Sequence, residues 1–215
     1  QLAGEAGMEV PREAASSEEE GAASLRTALL AKLAAADQFF RKQLRSNSVA
    51  IDYLKNRGLS GEIARDFGLG VAPQGWDNLL KELGQSTEDL NLLEQAGLAI
   101  KNEDRDSHYD RFRDRIIFPI RDTRGRTIAF GGRVYRDDDV PGSTSAAEGR
   151  KPKAAGPKYL NSPESPVFYK SRELYGLYEC LQRKNRFEEI VVTEGYMDVV
   201  ALAQYGVNNA VATLG

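Results

Sequence analysis

The chain has 215 residues, 41% hydrophobic and 28% charged, the composition expected of an ordinary soluble fold long enough for one domain or two small ones. No apolar run approaches the ~20 residues that span a bilayer, and Gln1 is followed by acids rather than a secretory leader, so a cytoplasmic setting with no membrane contact is expected. Cys180 has no second cysteine to pair with, and with His108 as the only histidine a Cys/His zinc site cannot be assembled.

The net charge of -3 hides local blocks. Residues 1–24 hold six glutamates (Glu5, Glu9, Glu13, Glu18, Glu19 and Glu20) against Arg12. Arg105 to Arg136 holds nine arginines against four aspartates, and Arg150 to Arg172 holds six bases against Glu164. Such blocks read as a footprint for nucleic acid or, more plainly, as a solvated basic face.

Residues 1–23, rich in Ala, Ser, Glu and Gly, read as a linker or disordered tail. From Ser24, a candidate N-cap, Leu25, Leu29, Leu33, Ala36, Phe40 and Leu44 recur at helical spacing and define a core-facing stripe. Shorter helices are expected over Val49–Arg57, closed by Gly58, and from Ser60 to Asp66, ended by Gly68. Trp76–Leu83 before Gly84 and Thr87–Ala96 before Gly97 complete this run. Trp76, the only tryptophan, is expected to pack against the helical layer rather than to stack on a base.

After Gly97 the pattern turns to strands. Ile116–Ile120 and Arg126–Tyr135 flank Asp122-Thr-Arg-Gly as an antiparallel hairpin with Gly125 free to take a positive φ. If the chain is already extended at Tyr109, alternation sets Arg111, Arg113 and Arg115 on one face as a row of phosphate contacts, with Phe112 opposite. Gly131 and Gly132 either open the backbone to a ligand beside Arg133 or mark a bulge with a surface arginine. Residues 137–157 form a loop longer than most, expected to be disordered. Lys158-Tyr-Leu-Asn-Ser-Pro-Glu and Phe168-Tyr-Lys-Ser-Arg follow, readable as polar turns around Pro163 and Pro166.

The last stretch has the sharpest pattern. Ile190–Thr193 reads as a buried strand that stops at Glu194-Gly195. Met197, Val200, Ala201 and Gln204 take up helical spacing from Tyr196 to Tyr205, Gly206 suits the helix end, and Ala210-Val-Ala-Thr returns to strand. This is a β-α-β unit, with Glu194 at the carboxyl end of the first strand and Asp198 in the first helical turn, near the positive end of the helix dipole.

The string Val-Thr-Glu-Gly-Tyr-Met-Asp-Val-Val-Ala-Leu resembles the first motif of the Toprim fold as it occurs in bacterial DNA primases of the DnaG type. Tyr109–Ile120, Lys158–Glu164 and Tyr175-Gly-Leu-Tyr-Glu resemble further stretches of the same family. The resemblance implies an α+β fold: a helix-rich basic subdomain with small antiparallel strands over 24–170, then the start of a Toprim α/β domain over 171–215. It implies RNA primer synthesis by metal-dependent nucleotidyl transfer, with Glu194 and Asp198 catalytic and Glu194 a ligand of Mg²⁺ or Mn²⁺. Arg111, Arg113, Arg115, Arg133, Lys158, Tyr159, Asn161 and Lys170 become nucleotide or template contacts. Implied partners are single-stranded DNA, ribonucleoside triphosphates and a replicative helicase, the last through a region not among these residues. Zinc is expected only in a module missing from the chain, and the Asp-x-Asp acids of the Toprim fold would lie past Gly215, so these residues alone are expected to be catalytically incomplete. Another Toprim enzyme, a topoisomerase or nuclease, or a non-catalytic module binding single strands or nucleotides are the alternatives.

Overall fold

A computed structural model describes residues 17–135, 157–183 and 188–214. The expectations for 1–16 and for nearly all of the 137–157 loop fall outside the described residues. The fold is α+β, as the sequence implied. In chain order the helices are α1 (Ser17–Arg45), α2 (Ser48–Asn56), α3 (Gly61–Asp66), α4 (Asn78–Leu83), α5 (Thr87–Gln95), α6 (Leu177–Arg183) and α7 (Tyr196–Gln204). The strands are β1 (Gly70–Ala72), β2 (Ala99–Asn102), β3 (Ser107–Asp110), β4 (Arg115–Arg121), β5 (Thr127–Val134), β6 (Tyr159–Asn161), β7 (Val191–Thr193) and β8 (Ala210–Ala212).

Helix α1 is 29 residues long, or about 43 Å at 1.5 Å per residue. It begins at Ser17 rather than at Ser24, so the end of the expected tail is helical. Glu18, Glu19 and Glu20 occupy its first turn, where carboxylates complement the helix dipole. Leu29, Leu33, Ala36, Phe40 and Leu44 are buried as the stripe required. The shorter helices stop where expected, with positive φ at Gly58, Gly68, Gly97 and Gly206. Asn47, Ser60 and Ser86 cap α2, α3 and α5 through side-chain oxygens, Ser86 within a capping box completed by Asp89.

A four-stranded sheet in the order β1-β4-β5-β6, antiparallel throughout, forms the centre. Gly125 takes φ +81° in the β4–β5 turn, and Asp122 accepts hydrogen bonds there from the backbone N–H groups of Arg124 and Arg126. The sheet is covered on both faces, which explains why Ile116–Ile120 is continuously apolar. Ile116, Phe118 and Ile120 join one cluster with Leu54, Phe67 and residues of α7, whereas Ile117 joins the other with Leu29, Leu33, Phe40 and Phe130. No helix among the described residues is long and apolar enough to cross a membrane.

β7 and β8 pair in parallel around α7, giving the expected β-α-β unit. The expectation that Ile190–Thr193 is buried does not hold: Ile190, Val191 and Val192 are 50%, 39% and 63% exposed. β7 has β8 along one edge, and the described residues leave much of its side-chain surface uncovered.

Candidate active site

The β7–α7 turn carries the two acids. Thr193 Oγ1 donates to Val211 O at 3.3 Å, tying the end of β7 to β8. Glu194 follows, Gly195 is the extended N-cap of α7, and Asp198 stands in the first turn. A Cβ on Gly195 would lie 2.9 Å from Asp198 Oδ2, so the missing side chain leaves room for that carboxylate. Both acids are exposed, and neither side chain has a hydrogen-bond or ion-pair partner among the described residues. They line a cleft of about 370 Å³ with Tyr159, Asn161, Tyr196 and Leu214.

The opposite wall of the cleft is β6. Tyr159 is 39% exposed, and its hydroxyl accepts from Arg133 Nη1 at 3.0 Å. Arg133 is buried, its guanidinium 5.3 Å from the Tyr159 ring centre and 5.9 Å from that of Tyr53. Neither the open gap nor the surface arginine expected at Gly131-Gly132 is formed. A Cβ on Gly131 would meet the Tyr196 ring at 2.3 Å, and one on Gly132 would meet Phe112 at 2.8 Å, so both glycines are filled from within the protein.

Asn161 is held at three points. Its Nδ2 donates to Leu214 O at 3.0 Å, its Oδ1 accepts from the Tyr196 hydroxyl at 2.7 Å, and its carbonyl accepts from Arg111 Nη2 at 3.1 Å. Burial, only partly offset by the Asn161 hydrogen bond, pushes the Tyr196 hydroxyl well above the usual tyrosine value, so it stays a donor. Lys158 is exposed, and its carbonyl accepts from Arg115. Lys170 sits in a 3-10 turn, Lys170–Arg172, and neither lysine lines the cleft.

The expected row of Arg111, Arg113 and Arg115 is not formed. The chain leaves β3 at Asp110, and Asp114 takes φ 52°, which breaks the alternation. Arg111 turns to β6, and Arg115 is 3% exposed with Nη2 donating to Pro157 O at 2.7 Å and Nη1 to Lys158 O at 3.2 Å. Arg113 alone of the three lies over aromatic rings, 4.3 Å from the Trp76 ring centre and 5.1 Å from that of Tyr109. Trp76 corrects a second expectation, since it is 64% exposed rather than packed into the helical layer. The available signal was its setting, Gln74-Gly-Trp-Asp-Asn, a polar turn outside any apolar period. Asp110 holds this corner by accepting from the N–H groups of Leu79 and Leu80 at the start of α4.

Comparison with known proteins agrees with this geometry. Residues 39–181 match the model of the DNA primase catalytic core, N-terminal domain, and residues 188–215 match that of the Toprim domain. A DNA primase of Pseudomonas putida is 55% identical over all of this chain and 30% of its own length, and that of Escherichia coli K12 is 44% identical over all of this chain and 34% of its own. The chain thus spans about a third of the curated relatives it matches. A DnaG primase catalytic domain solved bound to single-stranded DNA superposes with a TM-score of 0.78 at 45% identity, covering 90% of this chain and 57% of that one. A primase domain from Pseudomonas aeruginosa gives 0.75 at 55% identity, covering 87% and 54%. The chain belongs to the family of bacterial DnaG-type DNA primases, as part of their catalytic core.

Proposed function

We propose that the chain is the part of a primase that brings the first Toprim acids up to a basic, nucleotide-binding sheet, and that the whole protein makes short RNA primers on single-stranded DNA. The observation that carries this reading is the cleft in which Glu194 and Asp198, exposed and uncommitted, face Tyr159 and Asn161 of β6. Two carboxylates with free hard oxygens fit part of a site for Mg²⁺ or Mn²⁺, although no cluster of three or more His, Cys, Asp or Glu occurs among the described residues. A bound divalent cation would neutralise charge on the attacking and leaving oxygens as a ribonucleotide 3′-hydroxyl displaces pyrophosphate.

The remaining roles follow from where each side chain stands. Glu194 holds the metal and Asp198 supports it from the helix start. Lys158 and Lys170 supply mobile charges for phosphates, and Tyr159, steadied by Arg133, offers a face to the nucleotide. Arg113 and Trp76 take the template strand by stacking. Arg111 and Arg115 act by holding β6. The reading divides the chain near residue 170, since Tyr175 bridges to Ala212 and α6 packs on β8. A zinc module and the helicase contact are assigned to other parts of a full-length primase, and its setting to the bacterial cytoplasm.

The test is primer synthesis on single-stranded DNA with ribonucleotides and Mg²⁺, using the full-length protein beside its Glu194→Gln variant. Product that disappears in the variant is the expected result. Template binding without primer would leave the non-catalytic binding module, a reading that the exposed Trp76–Arg113 stack favours.

A further inference from the structure

The segments that follow the two strands of the β-α-β unit are both tied to one side chain, that of Asn161. After β7, Tyr196 reaches back to Asn161 Oδ1 at 2.7 Å. After β8, Leu214 O accepts from Asn161 Nδ2 at 3.0 Å. Asn161 is itself fixed: it pairs with Gly131 in the β5–β6 register, its carbonyl is held by Arg111, and the next residue, Ser162, exchanges hydrogen bonds with the backbone of Phe130. The Tyr196 ring lies over Gly131 and packs on Tyr175 and Phe118, with ring centres 4.8 Å and 5.6 Å away.

Tyr196 is two residues after Glu194 and two before Asp198, so whatever fixes it fixes both acids. We infer that Tyr196 is a positioning residue, and that Asn161 is its anchor rather than a nucleotide contact: the Tyr196–Asn161–Leu214 clasp fixes the turn that carries the two acids against β6, where they would hold a divalent cation. This rests on the metal role given to Glu194 and Asp198 above. Asn161 has one amide donor direction and one acceptor already used within the protein, which leaves its side chain poorly placed to read a base or sugar as well.

The experiment is a Mn²⁺ titration of the full-length protein, followed by electron paramagnetic resonance of free Mn²⁺, which needs no turnover. Tyr196→Phe keeps the ring and removes only the hydroxyl. It is expected to weaken Mn²⁺ binding about 10-fold, the lower end of the effect of losing groups that orient metal ligands. Asn161→Ala is expected to lose a similar factor, and the double variant no more than the worse single one, because both remove one linkage. Val200→Ala, a buried change in the same helix, controls for loosening: it should lower the urea midpoint and leave Mn²⁺ affinity in place. Unchanged Mn²⁺ affinity in Tyr196→Phe overturns the inference, as do losses that multiply in the double variant, which would make Asn161 an independent contact. Absence of both Mn²⁺ binding and primer synthesis in the unsubstituted protein would instead remove the functional reading on which the clasp depends.

Discussion

The four-stranded sheet and the β2–β3 hairpin adjoin at residues 111–114, and they use the same residue type in opposite ways. On the sheet side Arg115 is buried and its guanidinium is satisfied by backbone carbonyls of the segment leading into β6. On the hairpin side Arg113 lies over Trp76 and Tyr109 at the surface. Their spacing in a strand would have put them on one face; Asp114 in the left-handed region separates them. A basic stretch is therefore not one surface: Arg115 is spent inside the fold, while Arg113 stays beside the exposed Trp76 ring.

The largest effect is expected from Arg115→Ala. A buried guanidinium is lost and the carbonyls of Pro157 and Lys158 lose their donor, at a cost of about 3 kcal/mol, visible as a lower urea midpoint. Normal stability with lost DNA binding would break the comparison, because Arg115 would then be a surface contact. Trp76→Ala should do the reverse, leaving stability within about 0.5 kcal/mol. Single-stranded DNA affinity should fall about 10-fold, within the range for one stacked base, as read by fluorescence anisotropy at fixed salt. Arg113→Lys sharpens the contrast further. It keeps the charge and loses the planar stack, so a loss of about 3-fold with an unchanged salt slope is expected, whereas no loss would mean that charge alone acts there.

The smallest effects are in pH dependence and differ in sign. Burial holds the Asp110 carboxyl above its usual 3.8, against the pull of the Leu79, Leu80 and Asn78 amides. The folded protein then binds that proton more tightly than the unfolded chain, so the contribution is greatest below the usual value and declines as pH rises through the folded one. At Asp122 burial alone would raise the value, but hydrogen bonds from the Arg126 side chain and the Arg126 and Arg124 amides bring it below 3.8. That contribution is present above 3.8 and is lost as pH falls through the folded value. Urea midpoints from about pH 6 down to about pH 3.5 should show the deficit of Asp122→Asn shrinking towards acid and that of Asp110→Asn growing; deficits that move together would refute the assignment.

Local rules were legible where a residue acts on its own backbone. Ser60, Gly58, Gly68 and Gly125 made the expected cap, stops and turn, and Leu29, Leu33 and Phe40 made the expected stripe. The Glu194 turn was legible because strand, turn and helix change period within a few residues. What depended on distant partners was not. α1 continues back through an acidic run that composition alone marks as a tail, because those acids lie at a helix start. The arginine row failed on a single left-handed Asp114, and the Gly131-Gly132 gap is filled by rings from residues 196 and 112. Trp76 was misread because a tryptophan's usual place is interior, and only the turn around it argued otherwise.

Those two glycines have one more consequence. Adjacent residues of β5 face opposite sides of the sheet, and the rings that fill them belong to different clusters, Tyr196 to one and Phe112 to the other. A genetic screen for second-site suppressors should therefore separate by side. Compensation for Gly131→Ala should arise around Tyr196 and compensation for Gly132→Ala around Phe112. Two neighbouring positions in one strand would thus yield two non-overlapping sets of suppressors, each reporting on one half of the interior.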